Sequence, residues 1–347
     1  MSRYDWLWRS HALVVVLLLS NVGCGQTSQQ AELDPLPDRL VVATWNLEWF
    51  FDDYTGDNRT DLARHQSAPS AAAWRWKVAR SAEVIAALNA DIVALQEVEN
   101  RKVLADLVNE LSRRHNRVYR VAWAEGTDVA TEQDVAILYL NGLVAYGRRE
   151  QSQVMWESRH YYNLSKHLWA EFAWQGPDGP VRLYLFTAHF RSLPQQEPIR
   201  IRQARLLHRW VTPWLEQNQP VVVLGDWNTE VRVGEPLAGR DLGVLCGWET
   251  PSPEDDLVDT LVAVNENERS THLSGAQYDR ILVSRRLAGT SSQPATWVWR
   301  STAVRRDLVV QGQGPDGEEH YSNYYGIAHA ERDISDHYPV VIVLERP

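Results

Sequence analysis

The chain contains only two cysteines among its 347 residues, Cys24 and Cys246. So few cysteines exclude the disulfide framework of a small secreted domain, and no Cys/His spacing suits structural zinc. The fold must therefore rest on an apolar core, and a chain of this length with 44% apolar residues can bury a large one. We expect Cys246 to be a small buried residue of that core.

The chain also lacks an excess of positive charge, because 35 Lys and Arg stand against 45 Asp and Glu, a net charge of −10. Proteins that only bind nucleic acid usually show a basic footprint, since contacts to phosphates dominate their affinity. The charge therefore argues against a dedicated binding module, whereas an acidic enzyme that releases its product fits. Four arginines could still form a local basic patch: Arg191, Arg200, Arg202 and Arg205.

No apolar run approaches the roughly 20 residues that a membrane-spanning helix needs. The shorter run Ala12–Leu19 follows Arg3 and Arg9, which is typical of an export signal. The segment Leu19–Cys24 resembles the lipobox of bacterial lipoproteins, with Asn21 at the place where leucine is usual.

These N-terminal features predict three segments. Residues 1–23 are a signal peptide, residues 24–38 are a lipidated Cys24 followed by a polar tether, and residues 39–347 form one domain. The lipid on Cys24 would anchor the protein to a membrane of the bacterial cell envelope, facing the periplasm or the exterior. An ordinary signal peptide followed by secretion is the alternative.

A Walker loop and the Gly-x-Ser-x-Gly elbow of serine hydrolases are missing as well. Polar residues cluster instead in six short motifs, nearly all of which follow an apolar run with the pattern of a strand. Strand ends can bring such residues to one edge of a sheet, where carboxylates, amides and imidazoles meet a cation and a phosphate ester. The motifs are Thr44–Glu48, Leu95–Glu97, Phe186–His189, Gly225–Asn228, Tyr278–Asp279 and Ser335–His337.

Hairpin signals and helical periods are mixed along the chain, which favours an α/β fold with mixed sheets over a wholly parallel sheet. The turn Gly176–Gly179 is predicted to join two strands. We interpret residues 50–70 as a polar loop and residues 285–332 as an insertion before the last core strand. Three helices are predicted from their apolar stripes: Trp74–Leu88, Val103–Arg114 and Ile199–Glu216.

Carboxylates and amides at these strand ends suit a hard cation such as Mg²⁺, which prefers oxygen ligands. Glu97 ends a buried strand and can bind the cation. Asn46 and Glu48 alternate along an extended segment, so both are expected to face one pocket, where Glu48 binds the cation directly or through water. Asp226 and Asn228 alternate likewise and can either deprotonate and orient a water molecule or bind the cation and the phosphate.

Two histidines lie within the motifs. His337, beside a carboxylate such as Asp279, can donate to a phosphoryl oxygen and stabilise developing charge, and His189 offers a second donor. Eight further histidines match no motif and are assigned to surface or packing positions: His65, His115, His160, His167, His208, His272, His320 and His329.

As a set, the motifs resemble the endonuclease/exonuclease/phosphatase superfamily, which includes deoxyribonuclease I, over Leu40–Leu344. The resemblance implies a four-layer α/β/β/α sandwich, in which two mixed β-sheets pack face to face with helices outside. It also implies Mg²⁺ as the cofactor, with Mn²⁺ or Ca²⁺ as alternatives, and a phosphate ester as the substrate.

The resemblance further implies four residues at the metal site. Glu97 would bind the catalytic cation, Asn46 and Glu48 would line its site, and Asp336 would support it.

The same resemblance implies six catalytic residues. Asp226 and Asn228 would position or activate the attacking water, Asp279 would pair with His337, and His189 would contact the scissile phosphate. The segment Tyr119–Glu125 also looks like the deoxyribonuclease I segment that carries a second catalytic carboxylate, which makes Glu125 the sixth candidate.

The sequence thus favours a monomeric, divalent-metal-dependent phosphoesterase that attacks phosphodiester bonds with water, with DNA or RNA as the favoured substrate. One alternative keeps the chemistry and changes the substrate to a phosphomonoester or a phospholipid headgroup. A second alternative is a lipid-anchored binding protein without catalytic activity.

Overall fold

Two six-stranded β-sheets form the centre of the part of the chain that the computed structural model describes, residues 32–291 and 293–347. The predictions on residues 1–23 and Cys24 lie outside the described residues. In chain order the strands are β1 (Arg39–Phe50), β2 (Ile92–Val98), β3 (Arg120–Trp123), β4 (Asp134–Tyr139), β5 (Leu143–Gly147), β6 (His167–Gly176), β7 (Gly179–His189), β8 (Val221–Asp226), β9 (Leu257–Asp259), β10 (Asp279–Ser284), β11 (Val298–Val304) and β12 (Val340–Glu345).

Both sheets are mixed, as the alternation of hairpin and helix signals predicts. The first has the strand order β11-β12-β1-β2-β4-β3, and the second has the order β5-β6-β7-β8-β10-β9. One neighbouring pair in each sheet is parallel, β1 with β2 and β7 with β8, whereas the other pairs are antiparallel. The predicted hairpin turn is confirmed, because β6 and β7 pair up to Gly176 and Gly179.

Helices cover the outer faces of the two sheets. They are α1 (Asp61–Gln66), α2 (Ala71–Leu88), α3 (Arg101–His115), α4 (Gln153–Glu157), α5 (Glu197–Glu216), α6 (Asp241–Leu245), α7 (Arg306–Val309) and α8 (Glu318–Asn323). The two longest helices on the first sheet begin at side-chain caps, where Ser70 accepts from the Ala73 N–H and Asn100 accepts from the Lys102 N–H. None of the described helices is long and apolar enough to cross a membrane.

Three apolar clusters hold the layers together. One lies between the sheets and includes Val42 and Leu183, and the other two lie between each sheet and its helices, with Leu107 of α3 and Leu207 of α5 in them. This arrangement confirms the four-layer α/β/β/α sandwich. Cys246 is free and buried in the cluster beneath α5, as expected for a small apolar residue.

The polar segments contain more structure than their sequence predicts. The interpretation of residues 50–70 as a loop misses α1, which is only six residues long and too short to show a period. The predicted insertion 285–332 supplies β11, which pairs with β12 at the edge of the first sheet, and it also contains α7 and α8. These residues are therefore part of the sandwich.

Candidate active site

The two parallel strand pairs bring four of the six motifs to one edge of the sandwich, and two antiparallel strands bring the other two. The carboxyl ends of β1 and β2 carry the motifs around Asn46 and Glu97, and the ends of β7 and β8 carry His189 and Asp226. Asp279 begins the antiparallel strand β10 and lies opposite Asp226 in the ladder. The sixth motif precedes β12, which runs antiparallel to β1 and therefore starts at this edge.

Left-handed backbone conformations occur at four residues of these strand ends. Glu48, Trp49, Glu97 and Asn228 have φ values of 51°, 45°, 60° and 49°. Residues with side chains adopt this region rarely and at a cost of about 1–3 kcal/mol each, so strain of this kind persists only where the surroundings enforce it. Its concentration at the motif residues marks this edge as the candidate functional site.

Asn46 ties the carboxylates of the two sheets together. Its side-chain amide donates to Glu97 Oε1 at 3.1 Å and to Asp226 Oδ2 at 3.0 Å, so it bridges β2 and β8. The amide orientation is fixed because the Glu48 N–H donates to Asn46 Oδ1 at 2.9 Å. Asn46 therefore lines the predicted metal site by holding Glu97 in place.

His337 and Asp279 form a buried ion pair. His337 Nδ1 lies 2.7 Å from Asp279 Oδ2, and both side chains are almost fully buried. Burial alone would lower the pKa of His337, but Asp279, Asp336 and Asp226 surround the ring and raise its pKa well above the usual value. Burial raises the pKa of Asp279 to about 6, and the charge of His337 limits that rise. At neutral pH the pair is therefore an imidazolium and a carboxylate.

His189 also approaches these carboxylates, but it is neutral. Its Nε2 lies 3.4 Å from Asp226 Oδ2 and 3.9 Å from Glu97 Oε1. Burial and the nearby charge of Lys166 lower the pKa of His189 to about 3. Asp226 Oδ2 thus lies near a charged histidine, with His337 Nε2 3.8 Å away, and near a neutral one.

Asp226 stays ionised although it is fully buried. Burial alone would raise its pKa, but His189, His337, the Asn228 N–H and the Asn46 amide together hold the pKa below its usual value. The Asn228 N–H donates to Asp226 Oδ1 at 2.9 Å, which fixes the second residue of this predicted pair beside the carboxylate.

The donor set fits a hard divalent cation. Burial and the charge of Asp336 raise the pKa of Glu97, because its carboxylate form lacks full compensation by positive groups. Asp336 Oδ1 is buried without a hydrogen-bond partner among the described residues. Oxygen atoms of Glu97, Asp336 and Glu48 are the ligands that such a cation prefers, and they line adjoining cavities at this edge.

Two histidines assigned to surface or packing positions contact this carboxylate cluster. His320 of α8 is buried, and its Nε2 lies 2.7 Å from Glu48 Oε2. His272 Nε2 lies 3.2 Å from Asp336 Oδ2, in a loop that forms an isolated bridge with His337. Neither residue follows an apolar run or belongs to a recurrent motif, so the sequence gives no signal for this position.

The central cleft has a volume of about 260 Å³ and is open to solvent. Besides the motif residues, its lining includes two basic side chains, Lys166 and Arg191. Lys166 is buried, and its ammonium lies 3.5 Å from Asp128 Oδ2. The cleft therefore combines carboxylates with positive groups, as the binding of both a cation and an anionic ester requires.

The structure does not bring Glu125 into the central cleft. Glu125 lines a separate cavity with Asp57 and Asp134, which we name the Glu125 pocket. Its side chain is 69% exposed and lies 3.3 Å from the guanidinium of Arg59. We therefore give Glu125 no role in the cleft.

The expected basic patch does not form. Arg200 is buried and pairs with Asp241 at 2.6 Å, and Arg205 pairs with Glu249 at 2.8 Å. Arg202 donates to the Tyr161 carbonyl at 2.7 Å. Because the three arginines of α5 lie at different positions around the helix, their side chains contact different neighbours. Of the four arginines, only Arg191 lines the cleft.

Known proteins share this architecture. The chain is similar to the human Nocturnin catalytic domain with bound sulfate anion, at 14% identity and a TM-score of 0.54, with 91% of this chain and 97% of that chain covered. It is also similar to D. rerio TDP2 complexed with single strand DNA product, at 16% identity and a TM-score of 0.53, with 89% and 99% covered. At these identities the similarity supports the fold alone.

A further similar structure is an endonuclease/exonuclease/phosphatase family protein from Bacteroides thetaiotaomicron, at 16% identity and a TM-score of 0.53, with 89% of this chain and 98% of that chain covered. No curated protein sequence gives a significant match. The model of the Endonuclease/Exonuclease/phosphatase family matches residues 43–337, a span that contains every residue placed in the cleft above. This chain belongs to the endonuclease/exonuclease/phosphatase family.

Proposed function

We propose that the protein is a Mg²⁺-dependent phosphoesterase that hydrolyses phosphodiester bonds, with DNA or RNA as the favoured substrate. The observation that carries this proposal is the position of Asp226 near both a charged and a neutral histidine, next to the Glu97 carboxylate. The fold similarity to D. rerio TDP2 complexed with single strand DNA product is consistent with a nucleic-acid substrate. Fold similarity alone is an associational argument.

Asp226 is the group that accepts a proton from the attacking water. Its pKa is held below the usual value, so the carboxylate is ionised and keeps acceptor capacity at neutral pH. Asn228, whose backbone N–H is bonded to Asp226, adds a side-chain amide at the edge of the same cleft. These two residues orient the water for attack on phosphorus in line with the leaving oxygen.

His337 binds a non-bridging oxygen of the phosphoryl group. It is charged because Asp279 accepts from its Nδ1, which leaves Nε2 directed into the cleft. A preorganised cation of this kind stabilises the negative charge that develops on the phosphoryl oxygens during attack. His189, which is neutral, offers a second donor without adding charge.

Glu97, Asp336 and Glu48 would hold the divalent cation, Mg²⁺ in preference and Mn²⁺ or Ca²⁺ as alternatives. When bound, the cation would supply Lewis-acid polarisation of a phosphoryl oxygen. Asn46 keeps Glu97 at the site by donating to its Oε1 at 3.1 Å.

The cleft is open to solvent, so both ester substituents of a phosphodiester can extend out of it. Together with the two histidines, this openness favours a diester over a small monoester. Hydrolysis of plasmid DNA and RNA by the purified protein is the direct test, compared with an inositol phosphate and with a sphingomyelin emulsion. Each substrate is incubated with Mg²⁺, Mn²⁺ or Ca²⁺, and with a chelator as the control. We expect nucleic-acid cleavage that depends on the cation, and turnover of the inositol phosphate or lipid alone would replace the nuclease proposal with its alternative.

We also propose that the protein is a monomer held at the bacterial cell envelope by a lipid on Cys24. The support is the apolar run Ala12–Leu19 followed by Gly23 and Cys24. Fractionation of cells that express the chain tests this, because Cys24→Ala should move the protein from the membrane to the soluble fraction. An unchanged distribution would contradict lipidation.

A further inference from the structure

The segment that precedes the last motif reaches back to the proposed metal site through one histidine. His320 of α8 is buried, with its Nε2 2.7 Å from Glu48 Oε2 and its Nδ1 3.0 Å from Asp316 Oδ2. Both acceptors are carboxylates, so both ring nitrogens donate. The ring is therefore fixed at both ends, between the metal-side carboxylate Glu48 and a carboxylate of its own segment.

The contact with His320 leaves the two oxygens of Glu48 in different environments. Glu48 Oε2 also accepts from the Asp336 N–H at 3.1 Å, and the Lys77 ammonium lies 4.0 Å away. Donors thus surround Oε2, whereas Oε1 makes no hydrogen bond to the described residues and is the oxygen left for a cation. Glu48 further has a φ of 51°, so its position depends on contacts that hold a strained backbone.

Asp316 is itself bound to the loop that carries Asp336. The Asp333 N–H donates to Asp316 Oδ2 at 2.8 Å, and the Asp316 N–H donates to Asp333 Oδ2 at 3.1 Å. Only two residues separate Asp333 from Asp336 in the chain. A series of hydrogen bonds therefore runs from Glu48 through His320 and Asp316 to Asp333. The backbone from Asp333 to Asp336 and the Asp336 N–H lead back to Glu48, so the series links two of the proposed metal carboxylates, Glu48 and Asp336.

Both ring nitrogens of His320 donate in this arrangement, so His320 has no nitrogen left to bind a cation, and the Asp316, His320 and Asp333 cluster is not a second metal site of its own. Its side chains make two hydrogen bonds to residues outside the cluster: Asp333 Oδ1 accepts from the Gln311 N–H at 2.8 Å, and His320 donates to Glu48. An N–H that fixes one oxygen of a ligating carboxylate is the usual task of an outer-shell partner at a metal site.

We propose that His320, held by Asp316, is a positioning residue that orients Glu48 toward the divalent cation. This inference rests on the proposed function, because it assumes that the carboxylates at this edge bind a cation. It assigns a role in metal binding to a segment that lacks family motifs.

Direct titration of the full chain with Mn²⁺ tests the proposal, with binding followed by electron paramagnetic resonance or calorimetry. We expect His320→Ala to weaken Mn²⁺ binding by roughly 10- to 100-fold, as the loss of an outer-shell partner does. His320→Gln retains an N–H near the position of Nε2 and should stay within about threefold of the wild type. The rise in melting temperature on addition of Mn²⁺ should be smallest for His320→Ala and closer to the wild-type value for His320→Gln.

His329→Ala is the matched control, since His329 belongs to the same segment but stacks on Trp76 and lies outside the carboxylate cluster. The His329→Ala variant should bind Mn²⁺ with the affinity of the wild type. Equal Mn²⁺ affinity of His320→Ala and wild type would overturn the proposal, and so would equal weakening in the Ala and Gln variants. A wild type that binds Mn²⁺ but cleaves no ester would refute the proposed function while leaving this comparison intact, whereas no Mn²⁺ binding by the wild type would overturn both.

Discussion

The central cleft and the Glu125 pocket are both rich in carboxylates, yet Glu125 is held differently from the carboxylates of the cleft. In the cleft, Asp226 and Asp279 are buried and bound by histidines and amides from several strands. In the Glu125 pocket, Glu125 is 69% exposed and its partner is Arg59, which is equally exposed. Exposed pairs of this kind contribute little to stability and are screened by salt.

The difference shows that a high content of acidic residues alone does not form a functional site. The contacts that hold the carboxylates in place are also required. The cleft carboxylates lie at strand ends of two sheets and share donors such as Asn46, which contacts both Glu97 and Asp226. Their pKa values are consequently shifted in opposite directions, raised for Glu97 and lowered for Asp226. Such divergence is what acid–base and metal chemistry require of neighbouring carboxylates.

The largest effect should come from the residues around which the cleft is built. His337→Ala and Asp226→Ala should each lower kcat for phosphodiester hydrolysis by at least ~100-fold, the expected scale for a positioned acid–base group. Steady-state kinetics at saturating cation measures this, with circular dichroism to verify folding. If the purified protein hydrolyses phosphodiesters and both variants retain more than about a tenth of the wild-type kcat, the roles given to the cleft are wrong.

The next effect concerns the cation. In the proposed function Glu97 is a direct ligand. Glu97→Gln should therefore raise the Mg²⁺ concentration for half-maximal activity at least as much as the loss of an outer-shell partner does, by roughly 10- to 100-fold or more. The measurement is a Mg²⁺ titration of the initial rate. Unchanged Mg²⁺ dependence would remove Glu97 from the metal site.

A small effect is expected in the other region. Glu125→Ala removes an exposed ion pair outside the cleft. The rate of hydrolysis should therefore change by no more than roughly twofold, and the free energy of unfolding by no more than about 0.5 kcal/mol. Parallel rate and urea-unfolding measurements provide the check. A loss of activity close to that of His337→Ala would return Glu125 to the catalytic residues and erase the contrast between the regions.

The last prediction concerns the pH dependence of stability in the Glu125 pocket. Burial raises the pKa of Asp134 there from 3.8 to about 7. The folded state therefore binds the proton more tightly, so this stabilisation is present below about pH 4 and is lost as the pH rises through about 7. Asp134→Asn should reduce the decline in unfolding free energy between pH 5 and pH 8, measured in urea, and an unreduced decline would contradict the assigned burial.

The sequence predicts the architecture well where a motif follows an apolar strand. The runs before Glu97 and Asp226 form β2 and β8, and the parallel pairing of each with its neighbour explains why distant motifs meet. Short or exposed elements escape prediction, because α1 and β9 are too brief for a period to appear.

Within the site, the sequence identifies the residues of recurrent motifs and misses those that only tertiary packing brings near. His320 is 272 residues away from Glu48 and reaches it through a segment without a recurrent pattern. Glu125 is the opposite case, because local similarity in sequence makes it a candidate and the fold turns its side chain toward Arg59. The Arg200 side chain likewise enters the interior to pair with Asp241.

The central claim is that Glu97 of the first sheet and Asp336, which precedes β12 of the same sheet, hold one cation beside a phosphate, next to Asp226 of the second sheet. A crystal soaked with Mn²⁺ and inorganic phosphate tests it most directly, through the anomalous scattering of manganese. The account predicts a peak bound by Glu97 and Asp336, with a phosphate oxygen within hydrogen-bond reach of His337 Nε2. Manganese bound in the Glu125 pocket with none at Glu97 would contradict it.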